Sequence, residues 1–507
     1  MKDQTLNFLL TSGNSHHPAL VVPEGGPTVS YGALQNQVER LTTTLQSLGI
    51  GRGDRVAMAL PNGLEVIILF FATTAAAATA APLNPAYTAD EFRFYLEDIE
   101  AKALIVPPGG GEQARAAAPA GTLIVEAASS ADGEVSLTVV RPASLSRKQD
   151  STTPDDIALF LHTSGTTSRP KGVPLSHANL LASADNVART YALTARDVSL
   201  CVMPLFHVHG LVASTFATLH TGGTIVIPPR FSAGSFWPTV TAHRATWYTA
   251  VPTIHQVLLA RAKEDHAPAP GTSGLRLIRS CSSSLAPATM TALEARFGVP
   301  VLEAYGMTEA AHQMASNPLP PGERRAGSVG CGTGVQVALM DEAGNLLPPG
   351  RQGEVVIQGP NVTRGYHNNP EANAAAFTHG WFRTGDQGIM DASGYLTLVG
   401  RLKELINRGG EKISPREIDE VLLTHPAVAE AVCFGVPDVK YGEEVFAAVV
   451  LRADATEEDL TAYCRERLAA FKVPKKVHLV AQIPRTATGK IQRRAVAAAL
   501  ASSSTGA

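Results

Sequence analysis

The sequence predicts an α/β protein built on parallel, helix-covered sheets, with a smaller α+β unit towards its C-terminal end. Three observations lead there. Strand and helix patterns alternate between residues 30 and 125, and that alternation builds parallel sheets flanked by helices. The run 66–81 carries no charge over sixteen residues but is short of the ~20 a membrane helix needs, so it reads as a helix buried against a sheet. At 507 residues the chain exceeds one hydrophobic core, since cores stop growing near ~250–300 residues.

The elements follow in order. Tyr31, Leu34, Val38, Leu41 and Leu45 recur at helical spacing. Residues 55–60 read as a strand, 66–81 as the buried helix, 90–99 as an amphipathic helix, and 103–106 and 122–125 as further strands. Residues 127–156 turn polar and are expected to form a linker and surface hairpin. The apolar run 157–161 is a strand feeding a polar loop, and 176–189 should be a helix. Residues 247–252, 275–279 and 299–302 are buried strands. Near the C-terminus, Ser414 should cap a helix, with Pro415 in its first turn and Glu417 closing a capping box. Ile418, Val421 and Leu422 form its inward stripe; strands at 429–436 and 447–451 and a helix at 457–468 complete a unit of about a hundred residues.

Composition narrows the partners. A net charge of −3 gives no basic field for nucleic acid. Cys201, Cys281, Cys331, Cys433 and Cys464 are scattered without a CxxC pair, which argues against zinc and a disulfide framework and fits a reducing cytoplasm. Phe8-Leu9-Leu10 is too short an apolar cluster for a signal peptide, and the chain end lacks a Ser-Lys-Leu address. A cytoplasmic protein with no membrane partner is expected.

Candidate chemistry sits on loops. Thr163-Ser164-Gly165-Thr166-Thr167-Ser168-Arg169-Pro170-Lys171-Gly172 gathers hydroxyls, two glycines and two cations. Glycine lets backbone N–H groups approach a ligand, the hydroxyls donate, and Lys171 is a point charge, which together suit a polyphosphate. Pro170 before the lysine rules out the Walker spacing. A second loop, residues 280–287, is serine-rich at the end of a strand, where open α/β sheets bind ligands. A third stretch, Glu303-Ala304-Tyr305-Gly306-Met307-Thr308-Glu309, offers Tyr305 as a stacking face and Thr308 and Glu309 as oxygen ligands for a hard cation. Asp386 offers a carboxylate that can accept from a pair of hydroxyls. His207 and His209 invite a metal reading, but alternate residues of an extended segment face opposite ways and no third ligand is near in sequence. Gly330-Cys331-Gly332-Thr333-Gly334 lacks the spacing of a dinucleotide site.

The 163–172 loop, the Tyr305-Gly306-Met307-Thr308-Glu309 stretch, Thr384-Gly385-Asp386 and Thr488-Gly489-Lys490 together resemble the acyl-adenylate-forming superfamily, over residues 25 to 497. The resemblance implies an N-terminal AMP-binding domain at 1–400, including a distorted β-barrel subdomain, and a mobile C-terminal domain at 401–507. It implies ATP binding by Thr163, Ser164, Gly165, Thr166, Thr167, Lys171, Ser282, Ser283, Ser284, Glu303, Ala304, Tyr305, Thr308, Asp386, Arg401 and Lys490. Lys490, Glu309, Thr308 and Lys171 become the catalytic set, with Mg²⁺ at Glu309 and Thr166. Lys403 becomes the hinge, and Gly409, Gly410 and Lys412 line the approach of CoA. ATP and CoA are then co-substrates, and a monomer or weak homodimer is expected.

Within the superfamily, Phe206-His207-Val208-His209-Gly210, Arg279-Ser280-Cys281-Ser282 and Asn407-Arg408-Gly409-Gly410-Glu411-Lys412 are most similar to oxalate–CoA ligases. A pocket edged by His207, His209, Ser282 and His312 suits a short, doubly charged acid. Malonate–CoA ligases place arginine where this chain has Ala304, which weakens that alternative. A carrier-loading adenylation domain is the rival of another class; no carrier module follows Lys490, so CoA is the simpler acceptor.

Overall fold

The computed structural model describes residues 4–145, 151–163, 170–486 and 491–504. Two largely parallel sheets build the N-terminal part. The first has seven strands in the order Val135–Arg141, Leu123–Ser129, Ala103–Val106, Arg55–Met58, Thr79–Pro82, Ile157–Thr163, Lys171–Ser176. Its inner pairs are parallel and both edge pairs antiparallel. The second has nine strands, and its centre is Val301–Met307, Leu277–Ser280, Trp247–Ala250 and Val198–Leu200, all parallel. These short central strands are buried on both faces, as helix-covered parallel strands must be.

The uncharged run at 66–81 is not one helix. It supplies the helix Leu64–Ala75, turns through Ala77 at φ 59°, and continues as the strand Thr79–Pro82. A segment apolar on every side has no period to separate helix from strand. The helix is buried throughout its middle, and Phe70 and Phe71 meet Phe216 with ring centroids 5.2 and 5.5 Å apart. Burying each ring contributes about 1.5–3 kcal/mol. The polar stretch after residue 127 contains the expected hairpin, with Val135–Arg141 folding back on Leu123–Ser129.

The subdomain implied as a distorted barrel is realised as a five-stranded antiparallel sheet, Gln336–Met340, Gln352–Gln358, Phe377–Thr378, Trp381–Met390 and Leu396–Arg401. The smaller C-terminal unit has its own five-stranded sheet and core. Ile406–Arg408 and Glu411–Ile413 form a hairpin whose turn uses Gly409 and Gly410 at φ 61° and 97°.

The helix Pro415–Leu423 begins where expected, with Pro415 in its first turn and Ile418 and Leu422 buried. The capping box is absent. Ser414 donates its hydroxyl to the Val399 carbonyl instead, and both Glu417 carboxylate oxygens take Lys472 Nζ, at 2.7 and 2.8 Å. Tertiary partners win over the local ones at both positions.

One glycine fixes the strand beside the site. Gly330 has φ 76°, and a Cβ there would lie 2.0 Å from the Ser316 backbone. Gly53 has the same φ but open space around it. Gly53→Ala should cost about 1–2 kcal/mol from the left-handed conformation alone. Gly330→Ala should lower the thermal unfolding midpoint at least twice as far, because backbone must move. Equal midpoints for the two variants would contradict this account.

Candidate functional site

The C-terminal ends of the parallel strands Trp247–Ala250, Leu277–Ser280 and Val301–Met307 lie side by side and carry one polar cluster. Register puts Thr249 directly opposite Arg279, so both side chains emerge on the same face. Arg279 is fully buried. Its Nε donates to Tyr191 Oη at 2.8 Å and its Nη1 to Thr249 Oγ1 at 2.9 Å. Its Nη2 reaches Gln313 Oε1 at 3.0 Å and His312 Nδ1 at 3.4 Å. Thr249 Oγ1 lies 2.6 Å from His209 Nε2, and His209 Nδ1 lies 3.0 Å from Ser282 Oγ. The His209 and His312 rings meet edge to face at 5.1 Å.

Backbone strain marks this corner. Ser282 has φ 72° and His312 φ 119°, conformations that L residues rarely adopt and that cluster at functional sites. His209 is the first residue of a buried π-helix, His209–Phe216, and not part of an extended segment. The alternate-face reasoning applied to His207 and His209 therefore fails. His207 stands half-buried on the preceding bend, its carbonyl accepting from Leu211 N at 3.0 Å. Among the described residues no three His, Cys, Asp or Glu side chains group as a metal site. Ser283 and Ser284 are exposed on the loop beyond Ser282.

A second cluster lies on the nucleotide side expected from the sequence. Tyr305 Oη donates to Asp386 Oδ2 at 2.5 Å, and Arg401 Nε pairs with Asp386 Oδ1 at 3.0 Å. Burial, together with the Asp386 charge, holds the Tyr305 phenol well above its ordinary range. Glu303 Oε1 accepts from Leu285 N at 2.9 Å, which ties the serine loop to the neighbouring strand. Burial pushes the Glu303 carboxyl up to about 7, against the Arg416 charge. Ala304 is buried between Glu303 and Tyr305.

Thr308 and Glu309 are buried in a short 3-10 turn after the same strand. Burial raises the Glu309 carboxyl, while the Tyr366 hydrogen bond and the charges of Arg401 and Lys171 pull it down. Tyr366 Oη donates to Glu309 Oε1 at 2.9 Å, and its ring carries Lys171 Nζ 4.5 Å from the centroid. One side chain thus holds both the candidate metal carboxylate and a candidate phosphate cation.

Thr163 and Lys171 flank the loop, whose Ser164, Gly165, Thr166 and Thr167 lie outside the described residues, as does Lys490. Lys403 sits on the 3-10 turn Leu402–Glu404, and Gly409, Gly410 and Lys412 are exposed on the hairpin. Sequence reasoning gave no role to Arg279, Thr249, Tyr191, Gln313 or Tyr366. Arg279 did carry a signal, a charge inside the apolar strand Leu277-Ile278-Arg279. Tyr366 carried none, since its partners are 57 and 195 residues away in sequence (366 − 309 and 366 − 171).

The profile of the family described as "AMP-binding enzyme" matches residues 11–367, and that of "AMP-binding enzyme C-terminal domain" matches 417–490. The chain is 52% identical to the oxalate–CoA ligase of Arabidopsis thaliana, over 98% of this chain and 99% of that one. It is 46% identical to the oxalate–CoA ligase of Saccharomyces cerevisiae, over 99% and 98%. The solved structure of ATP-bound MatB from Rhodopseudomonas palustris superposes with a TM-score of 0.86 at 31% identity, over 98% and 99%.

Tyr366→Phe keeps the ring beneath Lys171 and removes only the donor to Glu309. A hydrogen bond to a charged group contributes about 1.5–3 kcal/mol, so ATP-dependent turnover should fall roughly 10- to 150-fold. The ATP KM should move less than about 3-fold, because the cation–π contact remains. Tyr366→Leu should raise that KM as well. A Phe variant with the parent's turnover would leave the hydroxyl without function.

Proposed function

We propose, since the chain belongs to the AMP-binding enzyme family, that it is an AMP-forming acid–CoA ligase whose acid is a short dicarboxylate, oxalate first among them. The observation that carries the choice of acid is the buried polar cluster in which Ser282, His209, Thr249, Arg279 and His312 follow one another along a chain of hydrogen bonds. An alkyl or aromatic tail would press an apolar surface against that cluster and bring it no polar partner.

Two half-reactions follow. A carboxylate oxygen attacks the α-phosphate of ATP, and pyrophosphate leaves. Negative charge grows on the bridging oxygens, so fixed cations accelerate the step. Lys171, the first residue of its strand with Nζ over the Tyr366 ring, is one of these cations, and Lys490 is the second. Tyr305 stacks on adenine, Asp386 accepts from the ribose hydroxyls, and Arg401 is held beside it. Thr163, Ser164, Gly165, Thr166 and Thr167 cradle the phosphates.

Glu309, with hard carboxylate oxygens in a buried turn, fits Mg²⁺, which binds through one or two carboxylates plus substrate phosphates. Glu309 and Thr166 would hold it, and it would supply charge neutralisation at the polyphosphate. The small domain then turns about Lys403, Lys490 withdraws, and Gly409, Gly410 and Lys412 face the incoming thiol. CoA attacks the acyl carbon and AMP leaves.

Pyrophosphate release measured across oxalate, malonate, acetate and a coumarate, with and without CoA, tests this reading. Oxalate should lead, with monoacids slower by up to ~10⁴-fold, because they leave buried polar groups unpaired. Preference for a long or aromatic acid would overturn it. Lys490→Ala should slow adenylation by ~10²–10³ yet spare thioester formation from supplied acyl-adenylate. Equal loss in both steps would remove Lys490 from its role.

A further inference from the structure

We propose that Arg279 is a positioning residue that sets the direction of the hydrogens in the acyl subsite and so makes it a donor set for a second negative group. The inference rests on the reading of the pocket as an acid site. A guanidinium donates and never accepts. Thr249 Oγ1 therefore accepts from Arg279 Nη1, and a hydroxyl polarised by a cation is the stronger donor, which favours its hydrogen pointing to His209 Nε2, 2.6 Å away. His209 Nε2 is then the acceptor nitrogen, and a neutral imidazole with that pattern carries its hydrogen on Nδ1. Nδ1–H donates to Ser282 Oγ at 3.0 Å, which turns the Ser282 hydrogen away from the histidine. On the other branch His312 Nδ1 accepts from Arg279 Nη2, so His312 carries its hydrogen on Nε2.

Charge points the same way. Arg279 is fully buried, none of its hydrogen-bond partners Tyr191, Thr249, His312 and Gln313 is a carboxylate, and the Cys281 thiol lies beside it as a further ionisable neighbour besides Tyr191 and His312. No carboxylate pairs with it among the described residues. A buried cation without an anion is costly, and doubly protonating His209 or His312 beside it would add like charge. The second carboxylate of a diacid, bound at Ser282, supplies the missing charge. An acid with a neutral tail leaves the guanidinium uncompensated. Specificity then resides in a residue behind the pocket wall, placed by the strand register that sets Thr249 against Arg279.

The test uses the full-length enzyme with oxalate and with oxamate, which keeps the reacting carboxylate and replaces the other by a neutral amide. Arg279→Met should reduce the oxalate-to-oxamate ratio of kcat/KM by about 10²- to 10³-fold, through the KM of the acid, with the KM for ATP unmoved. Thr249→Val cuts the relay without burying or removing a charge and should lower that ratio about 10-fold, while Thr249→Ser restores it to within about 2-fold. Should Arg279→Met not fold, the Thr249 pair carries the test alone. Parallel loss on both acids, or a Thr249→Val enzyme with the parent's ratio, overturns the inference. A parent enzyme indifferent to oxalate would instead refute the functional reading.

Discussion

The register between two short parallel strands is the constraint from which the acyl side of the site follows. Pairing of Thr249 with Arg279 places a hydroxyl and a guanidinium on one face of a largely buried sheet. A slip by one residue would send both side chains to the opposite face. Everything beyond that pair is hydrogen-bond accounting: Tyr191 and Gln313 take the remaining guanidinium donors, and His209, Ser282 and His312 form the wall in front. The strained backbone at Ser282 and His312 is consistent with a corner shaped by what it binds rather than by its own conformational preference.

The second cluster, proposed to face the nucleotide, uses the same economy with opposite sign. Two carboxylates, Asp386 and Glu309, are buried, and each is held by a tyrosine hydroxyl, from Tyr305 and Tyr366 respectively. Hydroxyl donors stabilise the ionised form without cancelling its charge. Arg401 pairs directly with Asp386, and the charges of Arg401 and Lys171 pull the Glu309 carboxyl down against its burial.

Much of this was legible in the amino-acid sequence, and the remainder was hidden for identifiable reasons. Alternating strand and helix patterns reported the parallel sheets, and Thr308 and Glu309 fell on a turn after a strand as expected, whereas Tyr305 lies within the strand Val301–Met307 and Asp386 within Trp381–Met390. The run at 66–81 misled because an uncharged stretch whose only polar residues are Thr73, Thr74 and Thr79 gives no period to separate helix from strand. The Ser414 capping box misled because local rules cannot see a carbonyl fifteen residues upstream. His209 was expected on an extended segment, yet its neighbours Gly210, Leu211 and Val212 pack as well in a wide helical turn. Arg279 stood in plain view as a charge among apolar residues, but its four partners come from three other elements, and only the fold brings them together.

The Ser414 hydroxyl has a further consequence. Its bond to the Val399 carbonyl ties the first turn of the helix Pro415–Leu423 to the strand Leu396–Arg401, on the far side of Lys403. The helix start meanwhile goes without the cap that this serine could provide. In the proposed rotation about Lys403, rupture of the tie would release the oxygen to the helix's own amides. One bond would be exchanged for another of similar strength, and a latch of that kind levels the two orientations instead of locking either.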